Sequence, residues 1–120
     1  MKEPETLPVA KGMLDVLVLR ALSWTPMHGF EVVEWIESRS TRALDLEDSA
    51  VYQALYRMEQ RELVDAKWGV TSNNRRARYY HVTPKGTSYL KAETSRWLRY
   101  AELVTELLST PLVPKGRVSS

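Results

Sequence analysis

The chain has 120 residues, of which 43% are hydrophobic and 27% charged, with a formal net charge of +2 and no cysteine. That length fits one small domain whose core is short of burial, so oligomerisation is expected. The lack of cysteine excludes disulfides and thiolate metal sites and fits a reducing, cytoplasmic setting. The opening MKEPETLPVA has acids and prolines where a signal peptide needs an apolar core, and no run of about eighteen apolar residues is present, so no membrane partner is expected.

In chain order, residues 1–10 carry two prolines and little periodicity, and read as a flexible arm. A first helix is expected over 11–24, with Leu14, Leu17, Val18, Ala21 and Leu22 at helical spacing and Val16 and Leu19 widening the apolar surface. Pro26 closes it. A second helix is expected over 28–38, with Phe30, Val33, Ile36 and Trp35 inward and Glu31, Glu34 and Glu37 outward. After the connection STRALDLE, a third helix starts at Asp48 or Ser49 as cap and runs to Glu62. Leu63–Val70 and Ala77–Thr83 then alternate as half-buried strands, around a Thr71-Ser72-Asn73-Asn74 turn in which asparagine tolerates left-handed backbone. Thr83-Pro84 opens a last helix reaching Leu108, and 109–120 read as a flexible tail. This order is a mostly helical α+β fold: a winged helix-turn-helix over 11–83, followed by a long helix over 84–108.

Charge is unevenly placed. Residues 66–92 contain no acid but hold Lys67, Arg75, Arg76, Arg78, Lys85 and Lys91, whereas 31–62 sum to −4. A basic block in a nearly neutral chain points to a polyanion. On the third helix, Val51, Ala54, Leu55 and Met58 share one face by i, i+3, i+4, i+7 spacing and should pack inward. The opposite face offers Ser49, Tyr52, Gln53 and Tyr56, flanked by Arg57 and Arg61. Hydroxyls, an amide and guanidiniums suit a helix in the major groove of double-stranded DNA, with Gln53 able to pair with an adenine edge and the hydroxyls with phosphates. Packing against the hairpin is the competing role for the tyrosines, and Glu47 and Asp48 oppose phosphate at the helix entrance.

The hairpin tip Asn73-Asn74-Arg75-Arg76, continued by Arg78, suits backbone or minor-groove contact. On the last helix, Leu90, Trp97 and Val104 are seven apart, as are Tyr100 and Leu107, which is a heptad seam for a homodimer. Trp97 reads as interface or core before it reads as a ligand-stacking platform. His28 and His81 belong to no metal spacing, and no phosphate loop, GxSxG or thiol is present, so neither catalysis, a metal nor another cofactor is expected. The reading that competes with DNA binding is a protein-interaction module using the winged helix or the last helix.

GMLDVLVLRAL (12–22), HGFEVVEWI (28–36), SAVYQALYRMEQRELV (49–64) and NNRRARYYHVTPKG (73–86) together resemble the PadR family of bacterial transcription regulators, over about residues 11–108. The resemblance implies a repressor-type homodimer paired through the first and last helices, which adds Leu14 and Leu17 to the interface. It places the recognition-helix tyrosine at Tyr52, the helix arginine at Arg57 and the basic wing at Arg75 and Arg76. Some members of the family hold a small aromatic effector in a dimer-interface pocket lined by a tryptophan of the last helix, and the resemblance puts Trp97 at a similar place. The run Ser49-Ala50-Val51-Tyr52-Gln53-Ala54-Leu55 departs from the family's G-S-L-Y-P-A-L at Ala50, which lacks a hydroxyl, and at Gln53, which adds an amide.

Overall fold

The computed structural model describes residues 5–10 and 12–112. Its elements are β1 (Leu7–Pro8), α1 (Leu14–Trp24), α2 (Gly29–Arg39), β2 (Leu44–Asp45), α3 (Asp48–Gln60), β3 (Val64–Val70), β4 (Arg76–Val82) and α4 (Pro84–Leu108). The four helices and the hairpin expected from periodicity all form.

The core lies where α1, α2 and α3 meet the base of the hairpin. Val16, Val18, Leu19, Ala21 and Leu22 of α1 are buried against Val51, Ala54, Leu55 and Met58 of α3, so the whole expected inner face of the third helix is inside. On α2 the buried set is Val32, Val33 and Ile36, while Phe30 is exposed. Val32, four residues before Ile36, shares its face, whereas Phe30, six before it, lies about 120° round the helix.

Helix ends are set by local hydrogen bonds. His28 is the N-cap of α2: its Nδ1 accepts from the Glu31 N–H at 3.3 Å, and its own N–H donates to Glu31 Oε1 at 3.2 Å. This reciprocal box satisfies two otherwise free donors, an arrangement worth about 1 kcal/mol. The cap position of α3 is Glu47, without a side-chain cap bond, so neither Asp48 nor Ser49 plays the capping part expected of it. At its other end, Glu62 adopts φ +62° and the Leu63 N–H donates to the Met58 carbonyl at 2.9 Å, a left-handed stop that turns the chain into β3. Thr83 caps α4 as expected, its Oγ1 accepting from the Gly86 N–H at 3.0 Å with Pro84 following.

β3 and β4 pair antiparallel in the register Val64↔Val82, Ala66↔Tyr80, Trp68↔Arg78 and Val70↔Arg76. The turn closes through Asn74, at φ +62°, whose N–H donates to the Thr71 carbonyl at 2.9 Å. Met27 bridges to Tyr80, tying the α1–α2 connection to β4.

A small parallel pairing joins Leu7 and Pro8 to Leu44 and Asp45, with the Leu7 N–H donating to the Ala43 carbonyl at 2.8 Å. Composition alone marked these segments as an arm and a plain connection. Residues 1–4 of that arm and 113–120 of the tail lie outside the described residues.

Candidate nucleic-acid interface

Because α3 buries one stripe, it must present the other. Ser49, Tyr52, Gln53, Tyr56 and Arg57 are all exposed, as the spacing requires. Tyr52 is also anchored: its ring lies over Gly29, so close that any β-carbon there would run into it. The packing partner of Tyr52 is thus the first residue of α2.

Two arginines on this side are held by carboxylates within the protomer. Arg57 Nη2 donates to Asp15 Oδ1 at 2.7 Å, linking α3 to the first turn of α1. Arg78 Nη2 donates to Glu59 Oε2 at 2.7 Å, bolting β4 to the last turn of α3. That hydrogen bond, opposed by burial, holds the Arg78 guanidinium above its ordinary pKa. Both residues are expected as DNA contacts, and in this structure each pairs with a carboxylate of another element. The beneficiary is geometry, since the hairpin cannot pivot freely about α3 while Arg78 is engaged. Beneath it, burial also raises the pKa of Tyr80.

Among the described residues, no carboxylate pairs with Arg75 or Arg76 at the wing tip. Asn73, Asn74, Arg75 and Arg76 are exposed, and the Arg76 guanidinium lies over the Trp68 ring at 4.6 Å from its centroid. Trp68 is 62% exposed and carried no functional expectation from sequence, although strict alternation with Val64 and Ala66 puts it on the wing face that includes Arg76 and Arg78. On the opposite wing face, the Tyr79 ring covers Gly69 and meets His28 edge-on at 5.4 Å.

A second surface runs along α4. Trp97, Leu98, Tyr100, Leu103 and Leu107 are exposed, with Trp97 and Tyr100 rings 5.7 Å apart. Val104, Leu14 and Leu17 are half-buried. Leu90 does not belong to this seam. At 8% exposure it is packed inside the protomer's own core, because the first turns of α4 dock on α1 and β4 before the helix projects outward. Leu103, three beyond Tyr100 and four before Leu107, joins the exposed stripe, whereas Leu98 is exposed about 100° round the helix from Trp97. Beside the stripe, an open concavity of about 920 Å³ is lined by Met13, Trp97, Tyr100 and Leu103, among others. Among the described residues no helix is long and apolar enough to cross a membrane.

A three-helix core, an exposed polar face on its third helix and a basic hairpin beside it define a winged helix-turn-helix. The model of the transcriptional regulator PadR-like family matches residues 18–92, and the chain belongs to that family. It is therefore related to transcriptional regulators. An uncharacterized protein from Lysinibacillus sphaericus is 25% identical over 96 residues, covering 80% of this chain and 88% of the relative. A PadR-like transcriptional regulator from Bacillus cereus is similar in fold, with a TM-score of 0.74 at 24% identity over 84% of this chain and 96% of its own. A PadR family transcription regulator from Clostridium difficile gives 0.70 at 25% identity, over 82% of this chain and 100% of its own.

Proposed function

We propose that the protein is a homodimeric, sequence-specific repressor that places α3 in the major groove and the β3–β4 wing against the adjacent minor groove of a pseudo-palindromic operator. The observation that carries this reading is the alignment of two surfaces. The exposed Ser49, Tyr52, Gln53 and Tyr56 of α3 stand beside a wing tip whose Arg75 and Arg76 have no acid within the stretch 66–92. In this arrangement Gln53 reads a base edge, the hydroxyls hold phosphates, and Arg75 and Arg76 enter the negative potential of the minor groove.

The exposed aromatic and aliphatic stripe of α4, with Leu14 and Leu17 of α1 beside it, supports the dimer, since a lone protomer this small gains much from covering such a surface. Half-sites would then lie about one helical turn, roughly 34 Å, apart or at a multiple of it. Sedimentation equilibrium is expected to give twice the 13.8 kDa protomer mass, and titration of an operator duplex two protomers per duplex. A monomer at micromolar concentration would instead favour α4 as a docking helix for a different protein.

The concavity beside Trp97 supports release by a small aromatic compound that stacks on the indole. Such compounds are expected to quench tryptophan fluorescence and lower DNA affinity. A Trp97→Phe variant quenched identically to the wild type would remove Trp97 from this part of the account.

A further inference from the structure

The wing carries an exposed apolar group that neither the charge pattern nor the recognition helix accounts for. Trp68 is 62% exposed and carries the stacked Arg76 guanidinium, 4.6 Å from its ring centroid. Its neighbours define what could cover it. Trp68 pairs in register with Arg78, and Arg78 reaches across to Glu59 on α3 at 2.7 Å, so this wing face is turned toward the recognition helix. On α3, Tyr52, Tyr56 and Glu59 follow one another at i, i+4, i+7 and form the stripe nearest the wing. Tyr56 on α3 and Trp68 on the wing, with Arg76 stacked upon it, are both exposed.

When a helix occupies a major groove and its wing the neighbouring minor groove, the sugar-phosphate strand separating those grooves passes between the two elements. We propose that Trp68 is a DNA-positioning residue whose indole face packs on the deoxyribose of that strand, fixing the wing's depth, while Arg76 meets the phosphate or the minor groove. The inference rests on the DNA-binding reading above and adds to it a contact that does not depend on charge. The occupant is set by its surroundings. The wing tip is cationic and polar, which suits a polyanion, and a deoxyribose is the apolar part of that polyanion presented at its edge. Stacking the guanidinium on the indole also restricts Arg76 to a few rotamers before DNA arrives, so less freedom is lost on binding.

The test uses the full chain and a fluorescent 30-base-pair duplex enriched from a random pool by the wild-type protein. Anisotropy titrations at several salt concentrations are compared for the wild type, Trp68→Ala, Trp68→Phe and Arg76→Ala. The inference expects Trp68→Ala to weaken binding about tenfold at every salt concentration, with the slope of log affinity on log salt unchanged, because no charge is removed. Trp68→Phe should stay within about threefold of the wild type, keeping an aromatic face. Arg76→Ala should flatten the slope. Equal affinity of Trp68→Ala and wild type overturns the inference. So does a Trp68→Ala slope flattened as much as that of Arg76→Ala, which would make the indole a mere prop for the arginine. If wild type enriches no duplex, the DNA-binding reading itself fails, a result distinct from both. Thermal melting of Trp68→Ala is expected to match the wild type, since the side chain is outside the core.

Discussion

Replacing Arg75 and Arg76 together by alanine is expected to weaken binding to every duplex, about a hundredfold or more near 0.15 M salt, and to change its salt dependence. Each protein cation that neutralises a phosphate releases condensed counterion, so log affinity falls with log salt at about −0.9 per phosphate. A dimer touching roughly six phosphates has a slope near −5; removing two arginines from each protomer should leave a slope near −2. These two side chains are the appropriate target because the other wing-face arginine, Arg78, is already engaged by Glu59 at 2.7 Å. Gln53→Ala makes the contrast. It removes no charge, so the slope should persist while discrimination between sequences erodes by about 1–3 kcal/mol at one position of each half-site. Anisotropy titrations of specific and scrambled duplexes check both. A double arginine variant with full affinity and an unchanged slope would show that the wing does not meet phosphate.

Gly86→Ala is expected to destabilise the fold by about 3 kcal/mol. Helix propensity argues the opposite sign, because alanine is favoured over glycine by about 1 kcal/mol inside a helix. Packing decides the matter. A β-carbon at Gly86 would run into the Leu63 carbonyl oxygen and lie 2.9 Å from Val82 Cγ1. The Leu63 carbonyl cannot easily retreat, for it accepts the Thr83 N–H at 3.1 Å, while Thr83 Oγ1 donates to the Glu62 carbonyl at 2.7 Å. Glycine therefore lets the first turn of α4 close onto the α3–β3 junction, and α4 is aimed from that joint. The loss should appear as a fall in Tm of about 10 °C or more. A melt within a couple of degrees of the wild type would mean that α4 is seated differently.

The parts of this architecture that depend on local chemistry were open to reading from residue order. Val51, Ala54, Leu55 and Met58 declare an inner face of α3 because four positions at helical spacing have one geometric solution. Thr83-Pro84 and the asparagine turn do the same through capping and left-handed backbone. Phase proved less legible: Phe30 and Val32 are both apolar, and only the docking of α2 decides which enters the core. Leu90 illustrates the same difficulty at longer range. Its heptad relation to Trp97 is real, but the first turns of α4 are inside the protomer and the later turns are not, a division that spacing does not encode.

Tertiary pairings were the least accessible. Asp15 and Arg57 are 42 positions apart, and Glu59 and Arg78 are 19 apart. Nothing local announces that these arginines pair with carboxylates of other elements. The alternation that placed Trp68 on the Val64 face was visible, but not the point at which the hairpin leaves the core and that face becomes surface. The candidate surface is thus partly legible as composition, an acid-free stretch around three arginines, while the pairing of Arg78 with Glu59 is a property of the fold.

The claim that matters most is that the protein recognises a DNA sequence and does not merely adhere to phosphate. It is tested most directly by anisotropy titration of a duplex enriched from a random pool, at about 50 and 200 mM salt, with excess nonspecific competitor. Saturable binding that survives the competitor and weakens about a thousandfold between those salt concentrations is the expected result. Failure to enrich any duplex, or binding that disappears with competitor, would contradict it.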